Sequence, residues 1–355
     1  MTPTLLRSTL ILGTAGLLAA CGPQPAETPA GTTPAPTAGI DVTGAGASFV
    51  FPLISQWSSE YAQATGNRVN YQSIGSGGGI AQAKAGTIHF GSTDAPLTPD
   101  VLAEARLGQF PSVIGGVVPV VNIEGIAPNQ LRLTGPLLAE IYLGRVTTWN
   151  DPAIVAINPG LTLPETAIKV VYRSDGSGTT FNFVHYLGQI SPAWAETVGP
   201  AATSVRWPTG IGGRGNEGVA AYTQQLTGSI GYVELSYALL NNLTTVSLQN
   251  ATGYWVEPSI ASFQAAAASA DWANAEDFHL LITNAPGAEA WPIAATNFIL
   301  VSKVPNDPVR ARAALDFFRW AYENGDARAK ELGYVPLPED VVALIKTYWE
   351  ANFTF

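Results

Sequence analysis

The feature that most constrains this chain is a unit that recurs from Ile40 onward. Each unit has an apolar strand, a turn rich in glycine, serine or threonine, and then an amphipathic helix. The turns of the four clearest units lie at 43–49, 75–79, 93–97 and 174–180. Strands that alternate with helices in this way indicate α/β units with mainly parallel sheets.

The pattern also predicts individual elements. The first helix is predicted over 52–64, because Pro52 suits a first helical turn and Leu53, Ile54, Trp57 and Tyr61 share one stripe. The other predicted strands are 69–74, 88–92, 168–173 and 297–301, and the other predicted helices begin at Ile80, at Pro99 after a Thr98 cap, and at Phe181, the last running to Leu187.

Composition excludes several classes of function. Charged residues are 12% of the chain and the formal net charge is −10, so no basic face is available to displace counterions from nucleic-acid phosphates. One cysteine excludes an internal disulfide, and the histidines His89, His185 and His279 lack metal-ligand spacing. We therefore expect no nucleic-acid partner, no metal and no cofactor, with the histidines serving the surface or packing.

The N-terminus explains the single cysteine. Arg7 precedes an apolar run at 10–18, and Ala19 and Ala20 lead to Cys21. This pattern predicts a secretory signal over 1–20, too short to span a bilayer. Leu18-Ala19-Ala20-Cys21 resembles the bacterial lipobox, which implies lipidation of Cys21; the alternative is an incidental buried cysteine.

The segment 21–39 is rich in proline, threonine and alanine and has no apolar period. It predicts a semi-stiff tether that could hold a folded domain on the order of 50 Å from a membrane. Together with the lipid, this predicts a protein of the cell envelope, anchored to a membrane on its periplasmic or extracellular face.

The turns can bind an anion. The first N–H groups of a helix are unpaired and the helix dipole is positive there, while glycine allows a ligand close to the backbone. A Gly/Ser turn can also serve chain reversal alone. Several such turns in one chain, with Arg173 at the edge of one, favour an anion site.

Asp94 narrows the choice of anion. A carboxylate repels an oxyanion unless the ligand carries a proton that the carboxylate can accept. Phosphate near neutral pH has such a proton and sulfate does not. A repulsion of roughly 4 kcal/mol between Asp94 and a fully ionised anion would lower the affinity for that anion about a thousandfold. The alternative is that Asp94 is a turn or cap residue. Asp175 can pair with Arg173 and cancel its charge, leaving dipoles and neutral donors to hold the ligand.

Enzyme motifs are not found. A nucleophile elbow needs glycine two residues before the serine, but Asp175 precedes Ser177 and Ile74 precedes Ser76. The chain also has no Gly-x-x-x-x-Gly-Lys-Ser/Thr phosphate loop. We expect a binding protein rather than an enzyme. A phosphate-ester hydrolase on the same fold and a receptor for another tetrahedral oxyanion remain alternatives.

The turn motifs resemble those of a known family. The segment Arg173-Ser174-Asp175-Gly176-Ser177-Gly178-Thr179-Thr180-Phe181 is one, and the others lie at 43–49, 70–78, 92–97, 113–118, 215–221, 228–234 and 290–293. In this order and spacing they are similar to the periplasmic phosphate-binding proteins of bacterial phosphate-specific ABC importers. The resemblance covers about 43–349 and implies partners: inorganic phosphate, and membrane permease subunits with a cytoplasmic ATPase.

The resemblance also implies a fold and a site. The fold would be an α/β, type II-like two-lobe periplasmic binding protein with mixed, mainly parallel sheets and two crossover strands. Lobe I would be 40–114 plus 293–355, and lobe II 115–292. The implied phosphate contacts are Ser48, Phe49, Ser76, Asp94, Arg173, Ser177, Gly178 and Thr179, with Asp175 balancing the arginine. Ser48 stands where threonine also occurs in the family, and His89 replaces a common acid.

Overall fold

A computed structural model describes residues 39–355, which form one compact unit. The predicted signal, the lipidated Cys21 and the tether up to residue 38 lie outside the described residues. Within 39–355, no helix is both long enough and apolar enough to cross a bilayer.

The described chain alternates strands and helices. The strands are β1 (Asp41–Gly46), β2 (Arg68–Ser73), β3 (Phe90–Thr93), β4 (Leu107–Val121), β5 (Arg132–Leu133), β6 (Lys169–Arg173), β7 (Ile211–Gly213), β8 (Ser229–Glu234), β9 (Thr244–Thr245), β10 (Ser247–Gln249), β11 (Trp255–Val256) and β12 (Ala294–Ser302). The helices are α1 (Phe51–Thr65), α2 (Ser76–Ala85), α3 (Pro99–Ala105), α4 (Gly135–Tyr142), α5 (Pro152–Ile157), α6 (Gly178–Ile190), α7 (Pro192–Val198), α8 (Gly215–Gln225), α9 (Leu235–Leu240), α10 (Ile260–Ala267), α11 (Pro308–Asn324), α12 (Asp326–Glu331) and α13 (Glu339–Asn352).

The main sheet is mixed, as predicted. Its strands follow the order β2-β1-β3-β12-β4-β8-β6-β7, with β9 paired to β4. The pairs at its two ends are parallel, and the pairs that β12 and β4 make in its middle are antiparallel. Two α/β halves are thus joined through the long central strands, and one hydrophobic core extends through both.

Strand β4 passes from one half of the sheet to the other. Its residues 107–116 pair with β12, whereas 117–121 pair with β8. Gly115 and Gly116 lie at this transition. A Cβ at Gly115 would come within 2.8 Å of the Phe49 ring, and one at Gly116 within 2.2 Å of the Phe263 ring. The strand therefore needs two residues without side chains where it changes partners.

Several sequence predictions are confirmed in position. The stripe of Leu53, Ile54, Trp57 and Tyr61 is buried on α1, and Pro99 begins α3. Strands β2 and β6 begin within one residue of the prediction. β3 begins two residues later than expected, and β12 begins three residues earlier.

Two predicted helix starts were wrong. The helix expected from Ile80 begins at Ser76, and the one expected from Phe181 begins at Gly178. The glycines taken as turn residues are helical because the first turns pack closely on their neighbours. A Cβ at Gly79 would lie 2.6 Å from the Cα of Gly46, so this helix can approach β1 only with glycine there.

Candidate functional site: four helix starts that meet at a buried cluster

Four helix starts converge beside the central strands. The N–H of Gly178, at the start of α6, donates to Ser76 Oγ at 3.0 Å, at the start of α2. The N–H of Asn216, at the start of α8, donates to Ser48 Oγ at 3.1 Å, just before α1. The structure therefore brings together residues that are separated by more than a hundred positions in the chain.

Ser48 is held as a hydrogen-bond donor. Its Oγ accepts from both the backbone N–H and the Nδ2 of Asn216, the latter at 2.9 Å. With both lone pairs engaged, the hydroxyl hydrogen is left to donate elsewhere. The carbonyls of Ser48 and Phe49 accept from the hydroxyls of Tyr237 at 2.8 Å and Tyr334 at 2.6 Å, which fix this turn on two sides.

Ser76 is held in the same way. Its Oγ accepts the N–H of Asp94 at 3.2 Å and the N–H of Gly178 at 3.0 Å. The N–H of Gly178, which the resemblance implied as a phosphate donor, is thus engaged by Ser76 in this structure. A Cβ at Gly178 would lie 2.6 Å from both Ser76 Oγ and the Asp94 Cβ, so only glycine fits between them.

Asp94 is the buried acid of the site. It is 1% exposed, and its Oδ1 accepts from Asn297 Nδ2 at 2.7 Å. Burial raises the pKa of Asp94 to about 7, against the opposing effects of the Asn297 hydrogen bond, the Arg173 charge and Ser76. Near neutral pH this carboxyl is therefore balanced between accepting and donating a proton.

Arg173 and Asp175 form a bidentate ion pair. Arg173 is 3% exposed and donates to the two Asp175 oxygens at 2.8 and 2.6 Å. Its Nη1 also donates to Thr179 Oγ1 at 3.3 Å. Burial would raise the pKa of Asp175, but its bonds to Arg173 and to the Gly215 N–H hold it below the usual value. The pair carries little net charge.

Ser177 begins α6. Its Oγ accepts the N–H of Thr180 at 3.0 Å, a cap that leaves the hydroxyl hydrogen free. Thr179 Oγ1 accepts from Arg173 and, at 3.4 Å, from Asn216. Ser177 and Thr179 are both fully buried, so their donors belong to the same enclosed cluster.

Sequence reasoning missed three asparagines that organise this cluster. Asn216 holds Ser48, Asn297 holds the Asp94 carboxyl, and Asn182 Nδ2 donates to the Asp94 carbonyl at 2.7 Å. Asn216 stands inside one of the glycine-rich motifs of the sequence, which was a usable signal. Asn182 and Asn297 lie within a helix and a strand, where no local pattern marks them.

His89 lies apart from the site. Its Nδ1 accepts the N–H of Thr43, and burial lowers the pKa of its ring. It lines a cavity of about 280 Å³ with Lys84, Arg106 and Asp307, away from the buried cluster. His89 is therefore not part of the immediate surroundings of Asp94.

The arrangement suits a small anion with one proton. The hydroxyls of Ser48 and Ser177 have hydrogens to donate, the Ser76 hydroxyl makes only a long 3.4 Å bond to Asp94 Oδ2, and a paired guanidinium adds donors with little net charge. Asp94 is the single carboxylate among the implied contacts that lacks a cationic partner. Among residues 39–355, no cluster of histidine, cysteine or carboxylate side chains is suited to a metal ion.

Comparison with known proteins identifies the family of the chain. The PBP superfamily domain matches residues 24–324. The phosphate-binding protein PstS of Xylella fastidiosa strain 9a5c is 61% identical over 317 residues, covering 89% of this chain and 87% of that protein. The chain belongs to the PstS family of phosphate-binding proteins.

Solved structures similar to this PstS-family chain share its fold. A phosphate-binding protein from Stenotrophomonas maltophilia aligns with a TM-score of 0.66 at 20% identity, covering 86% of this chain and 93% of that one. An ABC-type phosphate transport receptor from Vibrio cholerae aligns with a TM-score of 0.54 at 19% identity, covering 84% and 100%. At these identities the likeness concerns the fold, which is the two-lobe α/β fold expected from the sequence.

Proposed function

We propose that this protein captures inorganic phosphate, in a protonated form, between its two halves and delivers it to an ABC permease. The observation that carries the proposal is the enclosed set of neutral donors facing one buried acid, Asp94. A ligand satisfies that set if it has oxygens that accept hydrogen bonds and also a hydrogen that it can donate to Asp94. Phosphate is such a ligand. Membership of the PstS family supports the same ligand.

The proposed phosphate contacts are the eight implied by the sequence, with Asp175 balancing charge. Ser48, Phe49, Ser76 and Asp94 come from the first half, and Arg173, Ser177, Gly178 and Thr179 from the second. The proposal is supported by the burial of all eight, by the bond of the Gly178 N–H to Ser76 Oγ that joins the two groups, and by the bond of Asn216 to Ser48 between the same two halves.

Because these groups are buried, a ligand can reach them only if the halves separate. We place the lobes at 40–114 plus 293–355 and at 115–292, so that the hinge includes Gly115 and Gly116. The exchange of β4 from β12 to β8 beside these glycines supports that boundary. Opening would break the bond of Gly77 N–H to the Gly176 carbonyl, 2.9 Å in this structure.

The ligand is tested by isothermal titration at about pH 8, where most of Asp94 is ionised. We expect micromolar or tighter phosphate binding and negligible sulfate binding. A phosphatase assay with and without divalent metals, on the same preparation, distinguishes a receptor from a hydrolase. Equal affinity for the two anions, or steady turnover of a phosphate ester, would contradict the proposal.

The anchor is tested at Cys21. We expect the wild-type chain to fractionate with membranes and to carry acyl chains on this residue. The Cys21→Ser variant should be released in soluble form with unchanged phosphate affinity, because Cys21 is not among the proposed phosphate contacts. Mass spectrometry and membrane fractionation measure both results; a wild-type chain without acyl chains on Cys21 would contradict the proposed anchor.

A further inference from the structure

Asn297 occupies the middle of the main sheet, between two serines. It lies on β12, with Ser92 on β3 and Ser112 on β4, its neighbours on either side. All three side chains are buried. Nδ2 of Asn297 donates to Ser92 Oγ at 2.9 Å and to Asp94 Oδ1 at 2.7 Å, so both of its hydrogens are used.

An irregularity in the sheet aims Ser112 at this amide. The pairing of β12 with β4 runs from Asn297 opposite Val113 to Phe298 opposite Pro111, so Ser112 has no partner of its own. Its hydroxyl donates to Asn297 Oδ1 at 2.7 Å. Such bulges re-aim side chains near functional sites. Here the bulge brings a hydroxyl to the amide oxygen, and the same hydroxyl lies 3.2 Å from the Asn297 carbonyl.

The amide direction decides what Asp94 can do. Turned the other way, the Asn297 oxygen would face the Asp94 carboxylate, and two groups that only accept hydrogen bonds would oppose each other. In the observed direction, Oδ1 of Asp94 is engaged. Its Oδ2 has only the long 3.4 Å contact with Ser76 Oγ, so this second oxygen is available toward the clustered donors.

We propose that Asn297 is a positioning residue for anion discrimination. By holding Oδ1, it favours the ionised form of Asp94 and leaves Oδ2 as a proton acceptor that phosphate satisfies and sulfate does not. This inference rests on the proposed function. It deepens that function by assigning the choice between anions to a residue that does not itself touch the ligand.

The surroundings of Asp94 make this hydrogen bond matter. Burial favours the protonated carboxyl, and Arg173 favours the ionised one. Glu234 and Tyr71 also interact with Asp94 electrostatically, and burial raises the pKa of both. At about pH 8, Tyr71 is neutral, and Glu234, whose pKa is raised to about 8, is partly ionised in wild type and variants alike. Removing the Asn297 donor therefore shifts Asp94 toward the protonated state, in which it can donate to sulfate.

The test compares the phosphate and sulfate affinities of wild type with those of Asn297→Leu. The leucine side chain is similar in size to asparagine and makes no hydrogen bonds. At about pH 8, phosphate should bind about tenfold or more weakly, because a charge-assisted acceptor is lost. Sulfate should bind more tightly than to wild type. Ser112→Ala is a milder change. It should lower the ratio of phosphate to sulfate affinity about threefold, because Oδ1 of Asn297 then loses the hydroxyl that donates to it.

Asn182→Leu is the matched control. It removes another buried asparagine that touches Asp94, but at the backbone carbonyl. It should change the affinity for both anions without altering their ratio. Infrared difference spectra should show a protonated carboxyl band for Asn297→Leu that is absent from the Asn297→Leu, Asp94→Asn double variant.

The outcomes separate the two proposals. Wild-type protein that fails to bind phosphate would contradict the proposed function itself. Wild type that binds phosphate selectively, with an unchanged ratio in folded Asn297→Leu or in Ser112→Ala, would overturn the role of Asn297. An equal loss of selectivity in Asn182→Leu would also overturn it, because the effect would then belong to general packing around Asp94.

Discussion

At the scale of single residues, Arg173 carries a charge that its neighbour Asp175 nearly cancels. Its two hydrogen bonds to Asp175 cancel most of its electrostatic attraction for an anion, and a third N–H donates to Thr179. Removing the arginine also leaves the Asp175 carboxylate buried beside the site without its cation. Arg173 therefore favours a bound anion in two ways: its remaining N–H groups can donate to the anion, and its charge offsets that of the Asp175 carboxylate.

We expect Arg173→Ala and Ser177→Ala each to weaken phosphate binding by about 1–3 kcal/mol. The arginine variant loses charge-assisted donors, and the serine variant loses a hydroxyl and the cap of α6. Isothermal titration measures the change. His279→Ala, at an exposed position, is the control and should bind as wild type does. Unaltered titrations for both site variants would place the pocket elsewhere.

At the scale of elements, the sheet positions the helix starts and glycine sets their distance from it. The first turn of α2 packs on β1 and β3 so closely that a Cβ at Gly79 would lie within 2.8 Å of three backbone atoms. Ser76 lies in the same turn, so any shift of the turn away from these strands would also displace Ser76. Stability and site geometry are therefore coupled through one helix.

We predict that Gly79→Ala lowers the free energy of unfolding by about 1–3 kcal/mol, because backbone must shift to admit the methyl group. Phosphate affinity should fall with it as Ser76 is displaced. Gly188→Ala is the matched control, since nothing lies within 4 Å of the added Cβ on α6. That change should be neutral or stabilise by roughly 0.5–1 kcal/mol. Urea unfolding of both variants checks the difference, and equal effects would refute the packing argument.

At the scale of the whole molecule, Glu234 stands where the two halves meet. It lies at the end of β8, opposite Val117 of β4, and its side chain is fully buried. Oε2 accepts from the Ser236 N–H at 2.8 Å and from its hydroxyl, which also contacts Tyr334. Burial raises the pKa of Glu234 to about 8, so the folded protein keeps this proton near neutral pH.

This carboxyl should make the stability of the whole domain depend on pH. The folded state holds a proton that the unfolded chain releases near its ordinary value, so raising the pH from about 5 to about 8 destabilises the fold. Glu234→Gln removes that dependence. We expect its free energy of unfolding, relative to wild type, to increase steadily across this range.

Urea unfolding at several pH values measures this trend. Glu196→Gln, an exposed substitution on α7, should run parallel to wild type and serves as the control. If Glu234→Gln also runs parallel to wild type, Glu234 is not the buried acid that the structure indicates.

Much of this protein follows from neighbouring residues. Turn glycines, the proline at the start of α3 and the apolar stripe of α1 act within a few positions, so the sequence alone determined the strand–turn–helix units and the residue types at their junctions. The helix starts at Ser76 and Gly178 could not be placed, because glycine there is required by contacts with distant strands and not by the local chain.

The sequence by itself determined that several Gly/Ser/Thr turns begin helices and that one acid among them, Asp94, has no neighbouring arginine or lysine in its turn. Only the tertiary structure decided which side chains hold that acid. Asn297 reaches Asp94 from a strand about two hundred positions away, because β12 pairs with β3 in the register that sets Phe298 opposite Thr93. Such contacts depend on the register between strands, which no local pattern of residues encodes.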